Sequence, residues 1–286
     1  MITELTDPTD NKLWTYYIDE RLSKYLDKIK VGVQKRDKDF VLLVDGYEGS
    51  GKSTFAQHIG RYLDHSLHLD RICMTADEFK LAIINAKKGQ CVIYDEAVTG
   101  LSSSDSISRI GKLLKSMMMQ MRQKNLFVIV ILPSVFELNK YAVLSRSRGL
   151  FHIYEKAGQR GFFVGYNRKD MRKLYIKGKK TNTYCVRSFF IGRFVGKYVI
   201  NEEEYRLKKE EALFKLDEDT EKEEHKWKRQ ADFAFYIINK SGWSYDKIVE
   251  EAKKADVHIS VGGLSSRVGK MSELAKKYRT QPSISI

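Results

Sequence analysis

The chain has 286 residues, enough for one sizeable core and a small further domain. It is 42% hydrophobic with a mean hydropathy of −0.43, and its longest apolar run, "LFVIVIL" at 126–132, suits a buried strand and is far short of a membrane span. A net charge of +14 favours a polyanionic partner, nucleic acid or a membrane surface. The acidic, polar start "MITELTDPTD" does not read as a signal peptide, and three scattered cysteines (Cys73, Cys91 and Cys185) predict a reduced, cytoplasmic protein. The six histidines pair with no Cys or acidic cluster at metal-ligand spacing, so no structural zinc is expected.

In chain order, residues 11–30 place Leu13, Tyr17, Leu22, Leu26 and Ile29 at roughly helical spacing and predict an amphipathic helix. "FVLLVD" (40–45) reads as a buried strand, and the stretch from Lys52, "KSTFAQHIGRYLD", as a helix. "CVIYDE" (91–96) is a second buried strand, "SISRIGKLLKSMMMQMRQKN" a long helix, "LFVIVILP" (126–133) a third strand and "LFHIYE" (150–155) a fourth. Buried apolar strands alternating with helices predict an α/β fold with a mainly parallel sheet flanked by helices. Beyond 155 turn glycines, aromatics and short β-like pieces suggest hairpins or an extended β arm, and 202–229 mixes both charge signs as a solvated helix or linker would. From 231 three short helices are expected.

Between the first strand and its helix lies "GYEGSGKST", which completes G-x-x-x-x-G-K-[ST] as Gly46, Gly51, Lys52 and Ser53. Glycines at 46, 49 and 51 let the backbone turn its N–H groups inward, and with Ser50 and the helix N-terminus these donors cradle phosphate. Lys52 is placed to reach the β- and γ-phosphates, Ser53 to ligate Mg²⁺ and Thr54 to contact the α-phosphate.

The second strand ends on Asp95 and Glu96. A carboxylate at the end of a buried strand suits the magnesium shell, and Glu96 can polarise an attacking water or simply open the next helix. A lone Asp would fit a kinase or a GTPase equally well; the Asp-Glu pair favours hydrolysis of ATP.

"GYEGSGKST" with "VIYDEA" resembles the additional-strand, catalytic-glutamate class of P-loop ATPases, which includes RecA-like and FtsK/HerA-like motors, viral packaging ATPases, Zot-like phage assembly ATPases and AAA+ proteins. The resemblance covers about residues 40–155. It implies an extra strand between the two Walker strands, ATP and Mg²⁺ as ligands, and a ring-like homo-oligomer with shared active sites. It also implies a γ-phosphate sensor at the end of the third strand, matched by position at Ser134, and trans-acting arginine fingers, for which Arg146 and Arg148 in "SRSRG" are the candidates. Ser134 also reads as an ordinary strand-to-loop serine, and the two arginines as solvated loop residues.

Between 156 and 197 twelve basic residues face one acid, Asp170, with aromatics interleaved. Arg168, Lys169, Arg172, Lys173, Lys179 and Lys180 are candidate contacts to nucleic acid, whereas the aromatics read more simply as the buried face of hairpins. Residues 241–270 resemble a helix-turn-helix whose second helix would offer Ser265, Ser266, Arg267 and Lys270 to DNA; a plain three-helix interaction domain fits as well.

These readings divide the chain into an N-terminal helical segment (1–35), a P-loop ATPase domain (36–200) with a basic β-like arm (156–200), a charged helical linker (201–230), a helix-turn-helix-like domain (231–279) and a tail (280–286). The expected activity is ATP hydrolysis coupled to action on DNA, as in an oligomeric viral, phage or mobile-element motor. The rivals are a nucleotide kinase and an ATP-controlled DNA-binding regulator or loader.

Overall fold

The computed structural model describes residues 2–6, 13–95, 112–195, 197–214, 243–254, 260–262 and 265. The chain divides into two compact units, Met1–Leu213 and Phe214–Ile286.

The first unit opens as a hairpin and not as a helix. "LWTYY" is rich in residues that suit a pleated strand, and β2 (Leu13–Tyr17) pairs antiparallel with β1 (Ile2–Thr6). The helix expected from residue 11 starts only at α1 (Glu20–Arg36), where the Asp19 carboxylate accepts from the Arg21 and Leu22 backbone N–H groups at 2.8 and 3.3 Å. Leu13 and Tyr17 share a helical spacing with Leu22 yet lie in a strand. The stripe that α1 buries is Leu22, Leu26, Ile29 and Val33.

The central sheet has seven strands: β3 (Phe40–Gly46), β4 (Ile72–Cys73), β5 (Cys91–Asp95), β6 (Phe127–Ile131), β7 (Gly149–Lys156), β8 (Gln159–Asn167) and β9 (Phe190–Arg193). Their order is β4-β5-β6-β3-β7-β8-β9. β4 through β7 run parallel, whereas β8 and β9 are antiparallel additions at one edge. The parallel strands β3, β5 and β6 are buried almost throughout, as continuous apolar runs covered on both faces must be. α2 (Lys52–Leu63) puts Phe55, Ala56 and Ile59 in the core, and α3 (Ala76–Asn85) puts Phe79 and Ile83 there. This is a P-loop NTPase-like α/β fold with a mostly parallel sheet flanked by helices, the class expected from the alternation of strands and helices. One strand, β6, lies between β3 and β5, the arrangement that the resemblance implies.

α3 starts with a reciprocal cap: Thr75 Oγ1 accepts from Glu78 N at 3.2 Å and the Glu78 carboxylate accepts from Met74 N at 3.0 Å. Of the long helix expected over 106–125, residues 112–116 and α4 (Met118–Gln123) are helical; 106–111 lie outside the described residues.

The basic stretch after β7 differs from the β-like arm expected. β7 and β8 form a hairpin through Ala157 and Gly158, both at positive φ, which the tight two-residue turn requires. Residues Arg168–Thr181 then form a helix, α5. Asn167 Oδ1 caps it, accepting from Lys169 N at 2.9 Å and Asp170 N at 3.0 Å. Met171, Leu174, Tyr175 and Gly178 are buried at helical spacing. Gly178 is glycine because a Cβ there would sit 2.4 Å from the Thr183 carbonyl oxygen and 2.9 Å from the Phe136 ring.

Residues 202–214 form a further helix, α6. The charges of "NEEEYRLKKEEAL" suggest a solvated linker, yet Tyr205 and Ala212 are buried and Lys208 donates to the carbonyls of Leu69 and Ile72 at 3.2 and 2.7 Å. The linker reading therefore fails for 202–213, which belong to the first unit; 215–230 lie outside the described residues.

In the second unit, α7 (Tyr245–Lys254) begins at Ser244, whose hydroxyl accepts from Lys247 N at 3.4 Å, and buries Ile248. Arg267 and Lys270 lie outside the described residues, as does Ser266. Among the described residues no helix is long and apolar enough to cross a membrane.

Candidate active site

The C-terminal ends of β3, β5 and β6 deliver the motifs to one edge of the sheet. β3 ends at Gly46, with φ +138°, where a Cβ would lie 2.1 Å from the Ile153 carbonyl oxygen of the neighbouring β7. Only glycine lets the strand turn there. Gly49 and Gly51 follow at φ +74° and +98°, and Ser50 Oγ closes the loop by donating to the Tyr47 carbonyl at 2.8 Å.

Lys52 opens α2 and is buried. Its Nζ folds back over the loop and donates to the carbonyls of Gly46 at 2.6 Å and Tyr47 at 2.8 Å. Burial pushes its pKa down, against the pull of Asp45, Asp95 and Glu48, while Lys209 adds to the lowering. Among the described residues its hydrogen-bond partners are neutral carbonyls, whose place the oxygens of an anionic ligand can take.

Behind the loop, Asp45 is fully buried. It accepts from Val135 N at 2.9 Å, contacts His152 Nδ1 at 3.0 Å, and accepts a short hydrogen bond from the Tyr184 hydroxyl. The Tyr184 ring stacks on His152 at 3.6 Å between centroids. Burial, and then the Asp45 charge, raise the Tyr184 pKa, so this hydroxyl keeps its proton and holds the carboxylate. The network joins the end of β3 and the segment after β6 to the middle of β7.

Asp95, fully buried at the end of β5, accepts from the Tyr205 hydroxyl at 2.5 Å. The Ser53 side chain bonds to the same tyrosine, whose pKa is raised by burial and by Asp95. A serine hydroxyl and a carboxylate that converge on one oxygen atom form the hard-oxygen donor pair a magnesium ion takes. Ser53 and Asp95 therefore fit the ion, and Tyr205 of α6 occupies the point where they meet. Thr54 is half-buried at the start of α2, its hydroxyl bonded to Tyr198. Ser134 lies three residues past the end of β6, and the adjacent Pro133 carbonyl accepts from Gly46 N at 3.3 Å, so this serine sits beside the phosphate loop. Glu96 lies outside the described residues.

The two arginines proposed as fingers stand elsewhere. Arg146 is buried and ion-paired, at short range, with Asp39 just before β3; burial and its neighbour Arg148 lower its pKa to about 10. Seven strand residues at about 3.3 Å each set Asp39 roughly 20 Å from Gly46. The expectation that Arg146 reaches into a neighbouring site is thus corrected: its guanidinium is committed to a buried carboxylate. Arg148 is half-buried at the same edge, its N–H bonded to the Val41 carbonyl at 2.8 Å.

Beside the loop opens a cleft of about 970 Å³, lined by residues 48–54 and by the edge strands and α6. Arg160, Arg193 and Lys209 line it. None of these, nor Asp45, His152, Tyr184 or Tyr205, was singled out from sequence as a site residue. Asp45 is visible in the sequence as a carboxylate inside an apolar strand, and Arg160 and Arg193 as members of the basic stretch.

The nucleic-acid candidates Arg168, Lys169, Arg172, Lys173, Lys179 and Lys180 are all exposed on α5, and Lys179 Nζ also donates to the Tyr175 hydroxyl at 2.9 Å.

No protein-family model matches the sequence, and no curated protein matches it. Among solved structures the chain is similar to the crystal structure of the N-terminal domain of zonular occludens toxin from Neisseria meningitidis, at 15% identity and a TM-score of 0.34 over 56% of this chain and 96% of that one. At that level of likeness the reading of the site rests on its own geometry.

Proposed function

We propose that this chain binds and hydrolyses ATP with Mg²⁺ and couples the hydrolysis to action on nucleic acid, DNA in particular, as a homo-oligomeric motor of the viral or phage kind. The observation that carries the reading is the convergence of Lys52, Ser53 and Asp95 at one edge of the sheet, on strands separated by β6.

Each residue has a task set by its position. The inward-turned loop backbone binds phosphate, and Lys52 exchanges its two carbonyl partners for phosphate oxygens. Ser53 and Asp95 would hold a magnesium ion, which would supply neutralising charge for the transferring phosphoryl. By the resemblance read from the sequence, Ser134 would sense the terminal phosphate and Glu96 would polarise the attacking water. Arg148 is the arginine that a neighbouring subunit could receive. The support for nucleic acid is the row of exposed cations on α5: like charges gathered on one face repel one another and are relieved by a polyanion.

The test is the ATPase rate with and without single- and double-stranded DNA, with the oligomeric state measured by light scattering. The expected result is turnover that rises with DNA and is lost in Lys52→Ala. Phosphate transfer to a nucleoside, with no response to DNA, would establish a kinase instead.

A further inference from the structure

The cleft beside the phosphate loop carries more cation than the loop motif accounts for. Lys52, Arg160, Arg193 and Lys209 line it and Glu48 is the single acid among its lining residues. The arginines come from the antiparallel edge of the sheet. Phe162 on β8 is register-paired with Arg193 on β9, and the Arg193 guanidinium lies 4.7 Å from the Phe162 ring centroid. Gly161, at φ +96°, brings the two strands together: Phe194 N donates to its carbonyl at 2.8 Å, and a Cβ there would lie 2.4 Å from the Phe194 carbonyl oxygen.

The same edge touches the loop itself. The Phe194 ring would be 3.1 Å from a Cβ on Gly51, and an Arg160 guanidinium nitrogen 3.5 Å from one on Gly49. Arg160 has one ion-pair partner among the described residues, Glu155 at 3.0 Å, in an exposed pair of the kind worth little. Its guanidinium can turn to a phosphate at small cost.

Sheet order then fixes which end of a nucleotide these cations meet. Asp95 lies two strands from β3 on one side, whereas β8 and β9 lie on the other, beyond β7. A nucleotide with its terminal phosphate at Lys52, Ser53 and Asp95 must run its other end toward β8 and β9. We infer that Arg160 and Arg193 form a cis subsite for the nucleoside-proximal phosphates of the bound nucleotide, supplied by the same chain that carries the phosphate loop. This rests on the proposed nucleotide-binding function. It differs from a trans arginine finger in both subunit and target: the contacts are present with triphosphate and diphosphate alike, so they strengthen binding without favouring the transition state.

Equilibrium binding of fluorescent ATP and ADP analogues, with Mg²⁺, to the full chain and to Arg160→Ala, Arg193→Ala and Lys52→Ala tests this. Both arginine variants are expected to lose about tenfold or more in affinity for ATP and for ADP together, with kcat at saturation within about threefold of wild type. Arg160→Lys, which keeps the charge, should recover part of the loss. Mixing Arg160→Ala with Lys52→Ala chains should restore no wild-type affinity, because no site would then be whole. Wild-type affinity in both arginine variants overturns the inference. So does a loss confined to ATP, or wild-type affinity recovered on mixing, since each places the arginines on the terminal phosphate or in a neighbour. Arg160→Gln and melting curves for every variant separate loss of the subsite from loss of fold. If Lys52→Ala also binds both nucleotides like wild type, the phosphate-loop reading itself fails, whatever the arginines do.

Discussion

Strand β3 has a buried carboxylate at each end, and the two ends use it in opposite ways. At the start, Asp39 holds Arg146 in a buried ion pair. The two charges compensate each other there, and the guanidinium is buried away from any ligand. At the other end Asp45 accepts from a backbone N–H and a tyrosine and contacts a histidine, while Lys52 is held by two carbonyls. The anion is saturated by donors, and the cation remains available. Being charged and near a motif in sequence does not make a functional residue. What matters is whether its charge is already compensated in the fold.

The largest effect comes from breaking the spent pair. Arg146→Ala leaves Asp39 buried with no counter-ion, and a loss of about 3–5 kcal/mol of folding free energy is expected. Urea denaturation would read it. Nucleotide affinity, measured at a temperature where the variant is still folded, should stay at the wild-type level. Replacing both partners by apolar residues, Asp39→Leu with Arg146→Met, should recover most of the lost stability, because no lone charge is then left inside. A variant that keeps its stability but loses ATP turnover would return Arg146 to the active site and dissolve the contrast between the two ends.

A smaller effect is expected at Asp95, where the compensating group is a hydroxyl. Tyr205→Phe removes the donor to a buried carboxylate and keeps the ring, which packs on Tyr198 at 4.9 Å. The expected cost without ligand is about 1.5–3 kcal/mol. With Mg²⁺ and ADP the variant should gain more thermal stability than wild type does, because the ion takes up a carboxylate that Tyr205 no longer occupies. An equal gain in both proteins would mean that Tyr205 and the ion do not compete for Asp95.

These contrasts show what could be read from the chain alone. The phosphate loop, the Asp95 strand and the parallel sheet were legible because each is local: an apolar run, a glycine spacing, a strand followed by a helix. Arg146 misled because its partner, Asp39, is 107 residues away in sequence, and no local pattern announces an ion pair. Tyr205 was hidden among the charges of α6, where one aromatic gives no periodicity to find. Arg160 and Arg193 were visible as part of a basic stretch, but only the pairing of β8 with β9 sets them beside the loop. The helix α5 reads as β structure in the sequence because its buried stripe includes Gly178, which signals a turn until the close approach of Phe136 is known.

The smallest change to folding, and the sharpest test of the nucleic-acid reading, lies on α5. Arg172 and Lys173 are exposed and make no ion pair among the described residues. By the reasoning that separates Arg146 from Lys52, their charges are uncompensated and therefore available. Arg172→Gln with Lys173→Gln should change folding free energy by no more than about 0.5 kcal/mol. If both side chains meet phosphates, the slope of log affinity for duplex DNA against log salt should flatten by about 0.9 for each, since every neutralised phosphate releases counterions. Weakening of this kind would be much the same on every DNA sequence. An unchanged slope would leave α5 a solvated face and send the search for the DNA surface to other parts of the chain.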